Sequence, residues 1–301
     1  MIGKDALLIR QLVAFNKDAR HWQILALSGL FILANTYSDF GGHRLALPAA
    51  FSGAMLAQFI GTKWVGGKFQ WKSALITSLS ISILLRAASP WLWFVAALIG
   101  VGVKFTVRYN NKHIFNPACI GIVCVSLVAG ADAWVSPGQW GTAPLFAAFA
   151  IGFAALVLSS AKRLDIALGY LGFHAVALFG WAMYYGDPFA IPIRAMQNGA
   201  LLVFAFFMIT DPRSTPDSRV GRIFFAASVA AIASYLGWLT NMPGEPLYAL
   251  AIIAPLTILM DRMFPARRFE WSAPVKIKEG YPDETQASHG GRSSGAPVIA
   301  H

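Results

Sequence analysis

The chain has 301 residues, of which 56% are hydrophobic and 13% charged, and its formal net charge at pH 7 is +10. A soluble domain carries about 25% charged residues, so this sequence offers too little polar surface for water and enough apolar sequence for many membrane spans within one domain. The charges sit in short clusters between apolar runs and in the tail, without a basic helix or an aromatic-interleaved stripe, which argues against a nucleic-acid partner.

In chain order, residues 1–20 are mixed and end in Asp18-Ala19-Arg20, with no cleavable signal pattern. They read as a cytoplasmic segment before a retained first helix. Apolar runs then predict spans over His21–Tyr37, Leu45–Gly61, Ser73–Ala87, Pro90–Val103 and Pro117–Gly130. Five more are predicted over Ala143–Ser160, Leu164–Tyr185, Asn198–Thr210, Val220–Leu239 and Glu245–Met260. The expected fold is therefore an all-α polytopic membrane protein with ten transmembrane helices over 21–263. Residues 264–301 turn polar and Gly/Ser-rich and read as a disordered cytoplasmic tail. Cys119 and Cys124 lie in the fifth run on different helix faces and read as buried structural thiols. Two thiols cannot complete a four-ligand zinc or iron–sulfur site, and no metal is expected.

Lysine and arginine accumulate in cytoplasmic loops of membrane proteins. With ten spans and the N-terminus inside, 21 of the 24 basic residues fall on the inner side, and only Arg44, Arg86 and Arg194 fall outside. The pattern supports ten spans independently of hydropathy and places both termini in the cytoplasm of a bacterial inner-membrane protein.

Two predicted spans are short, Pro117–Gly130 and Asn198–Thr210, and each abuts a polar, Pro-bearing stretch on the inner side. Irregular backbone at membrane depth is tolerated where it is buried in protein or lines a cavity, and half-helix ends there present free amides or carbonyls. The inner stretches, Asn110 to Pro117 and Thr210 to Asp217, are the first site candidates. Two outer loops are further candidates, Ser136 to Pro144 and Asn241 to Tyr248; the second puts Glu245 at the mouth of the last span. Any one such loop can equally be a plain connector.

The run Phe115-Asn116-Pro117-Ala118, then Phe206-Phe207-Met208-Ile209-Thr210-Asp211-Pro212 with Ser214-Thr215-Pro216, then Gly244-Glu245, Tyr248-Ala249 and Ala254-Pro255-Leu256 together resemble the D-type subunit of Rnf electron-transport complexes. They are similar also to the B-type subunit of the sodium-pumping NADH:quinone oxidoreductase. Order and spacing agree over about Lys104 to Asp261. The resemblance implies ten helices in two inverted five-helix repeats, with bound flavin and a complex that couples electron transfer to sodium or proton movement. This chain would then be one electron-relaying subunit among other membrane subunits in the lipid bilayer, and not a complete enzyme.

One stretch departs from the family, whose members attach flavin mononucleotide to the last Thr of Asp-x-x-Ser-Gly-Ala-Thr ahead of Pro-Leu. Here Pro137, Trp140 and Ala143 replace the Asp, the Ser and the acceptor Thr. Alanine has no hydroxyl to esterify, so a flavin, whether the mononucleotide or riboflavin, is expected to be held non-covalently. Thr142, one position earlier, is an acceptor only for a transferase that tolerates the shift. Trp140 can stack on a flat ring or serve as an interfacial belt residue. The Trp-bearing loop also resembles the enediyne-biosynthesis membrane proteins called UnbU.

The candidate cofactor-binding residues are Asn116, Thr210, Asp211, Trp140 and Thr142, with no catalytic residue assigned. Asn116 can also cap span five, and Asp211 can end span eight in an Asx turn. His174 lies mid-span, where its alternatives are a helix-to-helix hydrogen bond and a proton relay. Asp165 beside Lys162 and Arg163 reads as a surface ion pair. Besides the redox subunit, two readings stay open: a biosynthetic accessory that kept the fold without redox function, and a passive transporter, which lacks an acidic pore ring.

Overall fold

The computed structural model describes residues 18–37, 43–135, 163–240 and 243–269. Predicted span six, Trp140, Thr142 and Ala143 lie outside the described residues, as does the tail from residue 270. The described residues all belong to one compact unit. Its helices are α1 (Ala19–Tyr37), α2 (Ala46–Val65), α3 (Trp71–Leu84), α4 (Pro90–Thr106) and α5 (Pro117–Ala129). After the undescribed stretch come α6 (Leu164–Tyr185), α7 (Ala190–Met196), α8 (Gly199–Val203), α9 (Arg219–Thr240), α10 (Glu245–Ile253) and α11 (Leu256–Met263).

The protein is mainly helical and its outer surface is apolar: Val128 is 90% exposed and Val176 72%, as suits lipid contact. By length and composition α6 and the stretch Arg219–Trp238 of α9 are each able to cross a membrane. The bent pairs, α7 with Gly199–Met208 at 48° and α10 with α11 at 54°, qualify as pairs. That gives two to four candidate spans among the described residues, short of the ten predicted. Length explains much of the difference, because α3, α4 and α5 have 14, 17 and 13 residues where a full crossing takes about 20.

Four short strands depart from the all-α expectation. Where α3 and α5 stop early, the chain becomes extended, directly as β1 (Leu85–Ala87) and after a 3-10 turn (Gly130–Asp132) as β4 (Ala133–Val135), and the two pair antiparallel with Arg86 opposite Trp134. Between α4 and α5, β2 (Arg108–Tyr109) and β3 (Lys112–His113) form a hairpin. Its turn residues Asn110 and Asn111 both have positive φ, 47° and 63°. Asn is among the few non-glycine residues that adopt this conformation readily, and it is the one a two-residue hairpin turn requires.

Helix α3 is buried on nearly every side, and its hydroxyls turn back on their own helix, Ser78 to the Ala74 carbonyl (2.8 Å) and Ser82 to that of Ser78 (2.7 Å). Helices α4 and α5 touch backbone to backbone: a Cβ on Gly100 would collide with the Pro117 carbonyl, and one on Gly121 with that of Ala96. Helix α5 also packs on α10, where the Cys119 thiol donates to the Leu247 carbonyl at 3.1 Å. Cys119 is thus buried and structural, as its apolar context predicts. Residues 264–269 lie against this body, with Phe264 stacked on Phe224.

Candidate functional site

Charged side chains gather at one end of the bundle, the basic end, formed by the β2–β3 hairpin, the starts of α6 and α9, the 209–218 loop and α11. The hairpin presents Lys112 and His113 side by side, both buried. The Lys112 ammonium lies 2.7 Å from Asp261 Oδ2 and 3.3 Å from Asp217 Oδ2, while His113 Nε2 meets Asp211 Oδ2 at 3.2 Å. The Asp217 amide donates to Asp261 Oδ1 at 2.8 Å. The hairpin, the 209–218 loop and α11, far apart in sequence, are thereby joined through one lysine and one histidine.

The 209–218 loop is held from every side. Arg163 is buried and donates to the Pro216 carbonyl (2.7 Å) and the Pro212 carbonyl (3.4 Å). Thr257 donates to the Ser214 carbonyl, and Arg222 to that of Asp217. Asp165 takes both arms of Arg222, with Oδ2 2.5 Å from Nη2. The surface pair expected with Lys162 and Arg163 is corrected here: helix geometry carries Asp165 toward α9, where both it and Arg222 are largely buried.

Asn116 and Asp211 come together at this end, as their shared side predicts, but their polar atoms are already engaged. Asn116 Oδ1 accepts from the Cys119 amide at 3.0 Å, and its Nδ2 donates to the Met208 carbonyl at 3.1 Å. It caps α5 and ties it to the end of span eight. There the backbone widens into a π-helical turn, Phe204–Met208, and Thr210 donates back to the Phe206 carbonyl at 2.6 Å. Such turns recur at functional sites. Asp211 accepts from the Arg213 amide and the Ser214 hydroxyl as well as from His113. Burial pushes its carboxyl up, yet the His113 hydrogen bond and charge, the Arg213 amide and Ser214 outweigh it and hold the pKa below its ordinary value. For Arg163, burial and the neighbouring Arg222 lower the value to about 10, against the pull of Asp217 and other carboxylates.

Beside this frame lies a cavity of about 310 Å³ lined by Tyr109, Lys112, His113, Asp217, Asp261 and Arg262, among others. Its volume falls at the lower limit of ligand pockets, about 300 Å³. The rim is cationic. Arg108, Arg213 and Arg268 donate to the Asn110 and Asn111 carbonyls, and Arg262 to the Tyr109 hydroxyl. Asn116, Thr210 and Asp211 support this cavity from behind and do not line it. Lys112 and Asp217 fall within the two inner candidate stretches without being singled out there, and Asp261, Arg163 and Arg222 were missed in the sequence. An acidic residue within each of two basic inner segments was the available signal, but partners over 100 residues apart carry no sequence pattern.

The opposite end holds a second cavity, of about 140 Å³, between α6, α8, α10 and the β1–β4 ribbon. Its lining includes Leu84, Val135, His174, Asn198, Phe204 and Glu245. Among the described residues no group of three His, Cys, Asp or Glu could hold a metal ion.

A helical membrane protein with one basic, cross-linked end is the class these features define. Residues 135–270 match the NQR2, RnfD, RnfE family, and the chain is related to that family. It is 25% identical over 197 residues to the D-type subunit of the ion-translocating oxidoreductase complex of Stutzerimonas stutzeri, covering 60% of this chain and 54% of that protein. The corresponding protein of Ectopseudomonas mendocina is 22% identical over 291 residues, covering 76% and 82%. The D-type subunit of a proton-translocating ferredoxin:NAD(+) oxidoreductase complex from Clostridium ljungdahlii is 22% identical over 242 residues, covering 63% and 72%. Over the first of these, the chain spans little more than half the relative's length. The matched family segment contains the 209–218 loop, the π turn, Asp261 and most of the landmarks read from the sequence.

Proposed function

We propose that the chain is a membrane subunit of an Rnf-type ion-translocating electron-transport complex, relaying electrons through a non-covalently bound flavin at the basic end. The observation that carries this reading is the coincidence of the family segment with the frame built on Asp211, Asp217 and Asp261 beside a ligand-sized cavity. The names of the relatives support the complex and its partner membrane subunits. In this reading the basic end is cytoplasmic, in keeping with cationic inner loops, and the ten predicted spans form two inverted five-helix repeats in a bacterial inner membrane.

The cavity suits a flavin. Tyr109 and Ile258 offer flat and apolar surface, Lys112 and Arg262 offer donors, and Asp261 offers an acceptor. A bound flavin would supply the one- and two-electron transfer of a relay. The chain's own part is to fix the ring and tune its charge. Lys112 brings a cation to the wall, and the Asp217 and Asp261 carboxylates hold that ammonium in place. Asp211 keeps His113 oriented with its carboxylate. Asn116 and Thr210 keep the π turn and α5 in register behind the cavity.

The test is the full chain purified in detergent from a flavin-replete host. The expected result is a yellow protein with a flavin spectrum and a dark band on a denaturing gel, the spectrum lost in Lys112→Met. A fluorescent band lost in Thr142→Ala would overturn non-covalent binding. Colourless protein would overturn the flavin reading and select the alternative that Ala143 favours, a biosynthetic accessory retaining the fold without redox function.

A further inference from the structure

The bland reading of a histidine within a span is a hydrogen bond to a neighbouring helix. His174 makes none. It is 4% exposed on α6 and lines the cavity opposite the basic end, and its Nδ1 is buried without a hydrogen-bond partner. One turn earlier Tyr170 is fully buried, its hydroxyl is also unpartnered, and its ring stacks on His174 at 5.5 Å and 12°. Glu245 lines the same cavity at the first turn of α10. Ionisable groups kept inside a membrane protein without structural partners are functional-site candidates by default.

We propose that this cavity is a proton-binding site, with the His174 imidazole as the acceptor and the Glu245 carboxylate as the group that exchanges the proton with it. The transfer is a simple one: a proton leaves the Glu245 carboxyl, an imidazole nitrogen lone pair takes it, and the carboxylate and imidazolium remain. The surroundings favour a proton over a metal cation. Hard cations take cages of several oxygen ligands. Here the side-chain oxygens among the lining residues are those of Glu245 and Asn198, and Asn198 Oδ1 already accepts from the Ala200 amide at 2.9 Å. The rest of the described lining is largely apolar, with Leu84 from α3, Val135 from β4, Leu178 from α6, and Leu201 and Phe204 from span eight. The titratable groups facing His174 among the described residues are thus Tyr170 on its own helix and Glu245 on α10. From α9, Gly237 lies against the Glu245 side chain without adding a charge. About 140 Å³ leaves room for a short chain of waters, each needing about 30 Å³.

This inference goes beyond the flavin reading, and its test needs neither flavin nor partner subunits. The full chain, labelled with ¹⁵N-histidine in detergent, is titrated by nuclear magnetic resonance, and His174→Gln identifies the signal. The expected result is a His174 resonance that titrates between about pH 4 and 9, with its midpoint moved at least several-fold in proton affinity by Glu245→Gln. Glu245→Asp should restore most of that shift, and it stands in should Glu245→Gln fail to fold. A resonance that does not titrate, or that ignores both substitutions, overturns the proposal. So does a titration abolished when sodium chloride replaces potassium chloride, which would make the cavity a metal-cation site. A colourless but titrating protein would sink the flavin reading alone.

Discussion

The two ends of the bundle handle buried polar groups in opposite ways. At the basic end the buried charges are paired, Lys112 with two carboxylates, His113 with Asp211, and Arg222 with Asp165, while Asp217 Oδ1 has no hydrogen bond among the described residues and lies 3.9 Å from Arg163 Nη2. At the other end His174 and Tyr170 are as deeply buried and have no hydrogen-bond partner for Nδ1 or the hydroxyl. Saturated buried groups fix geometry, whereas unsatisfied ones cost stability and persist where something else requires them. One end is therefore built for rigidity and the other holds hydrogen-bonding capacity in reserve.

The largest expected effect comes from breaking the ion-paired end. Lys112→Met leaves Asp217, whose side chain is 8% exposed, with only Arg163 at 3.9 Å as a charged partner among the described residues, and should cost about 3 kcal/mol, as loss of one member of a buried pair does. Thermal unfolding in detergent reads it, and adding Asp217→Asn should recover part of the loss. Asn116→Ala removes both the α5 cap and the bond to the Met208 carbonyl, and should cost about 2 kcal/mol in the same assay. An effect near zero would mean that α5 and span eight are held apart from this side chain.

Acid sharpens the comparison next. Because the folded pKa of Asp211 lies below its ordinary value of 3.8, its stabilisation is full above that value and is lost as pH falls through it toward the folded one. The melting temperature should therefore drop on acidification below about pH 4, and less so in Asp211→Asn, which lacks the linkage at all pH values. The smallest effect belongs to the open end. Tyr170→Phe deletes a hydroxyl with no partner and should leave stability unchanged or raise it by up to about 1 kcal/mol. A clear loss would reveal a partner for that oxygen and remove the contrast between the ends.

Much of this organisation was legible before any coordinates. Alternating apolar runs and basic clusters separated the two ends, and the short runs at Pro117 and Asn198 marked α5, which stops early, and the span broken by the π turn. The landmarks at Asn116 and Asp211 led to the basic end, where both stand behind the cavity and do not line it. Both look like ligand-binding residues because each is polar at a broken helix, yet most of their partners are backbone groups that sequence does not display. The cavity lining depends on Lys112 meeting Asp217 and Asp261 from over 100 residues away, a pairing set by tertiary packing alone. Asp165 was misassigned because adjacency in sequence stood in for adjacency on neighbouring helices. His174 was readable as unusual, but its lack of a partner was visible only with α8 and α10 in place.

The contact between Gly100 and Gly121 has a mechanical consequence. Two helices whose backbones touch cannot slide past each other without a clash, so α4, the hairpin and α5 move as one stiff lever. One arm of that lever carries Lys112 and His113, and the other ends at β4, where Val135 lines the cavity of His174. A tilt at the charged end would thus be carried along this packed pair toward the opposite one.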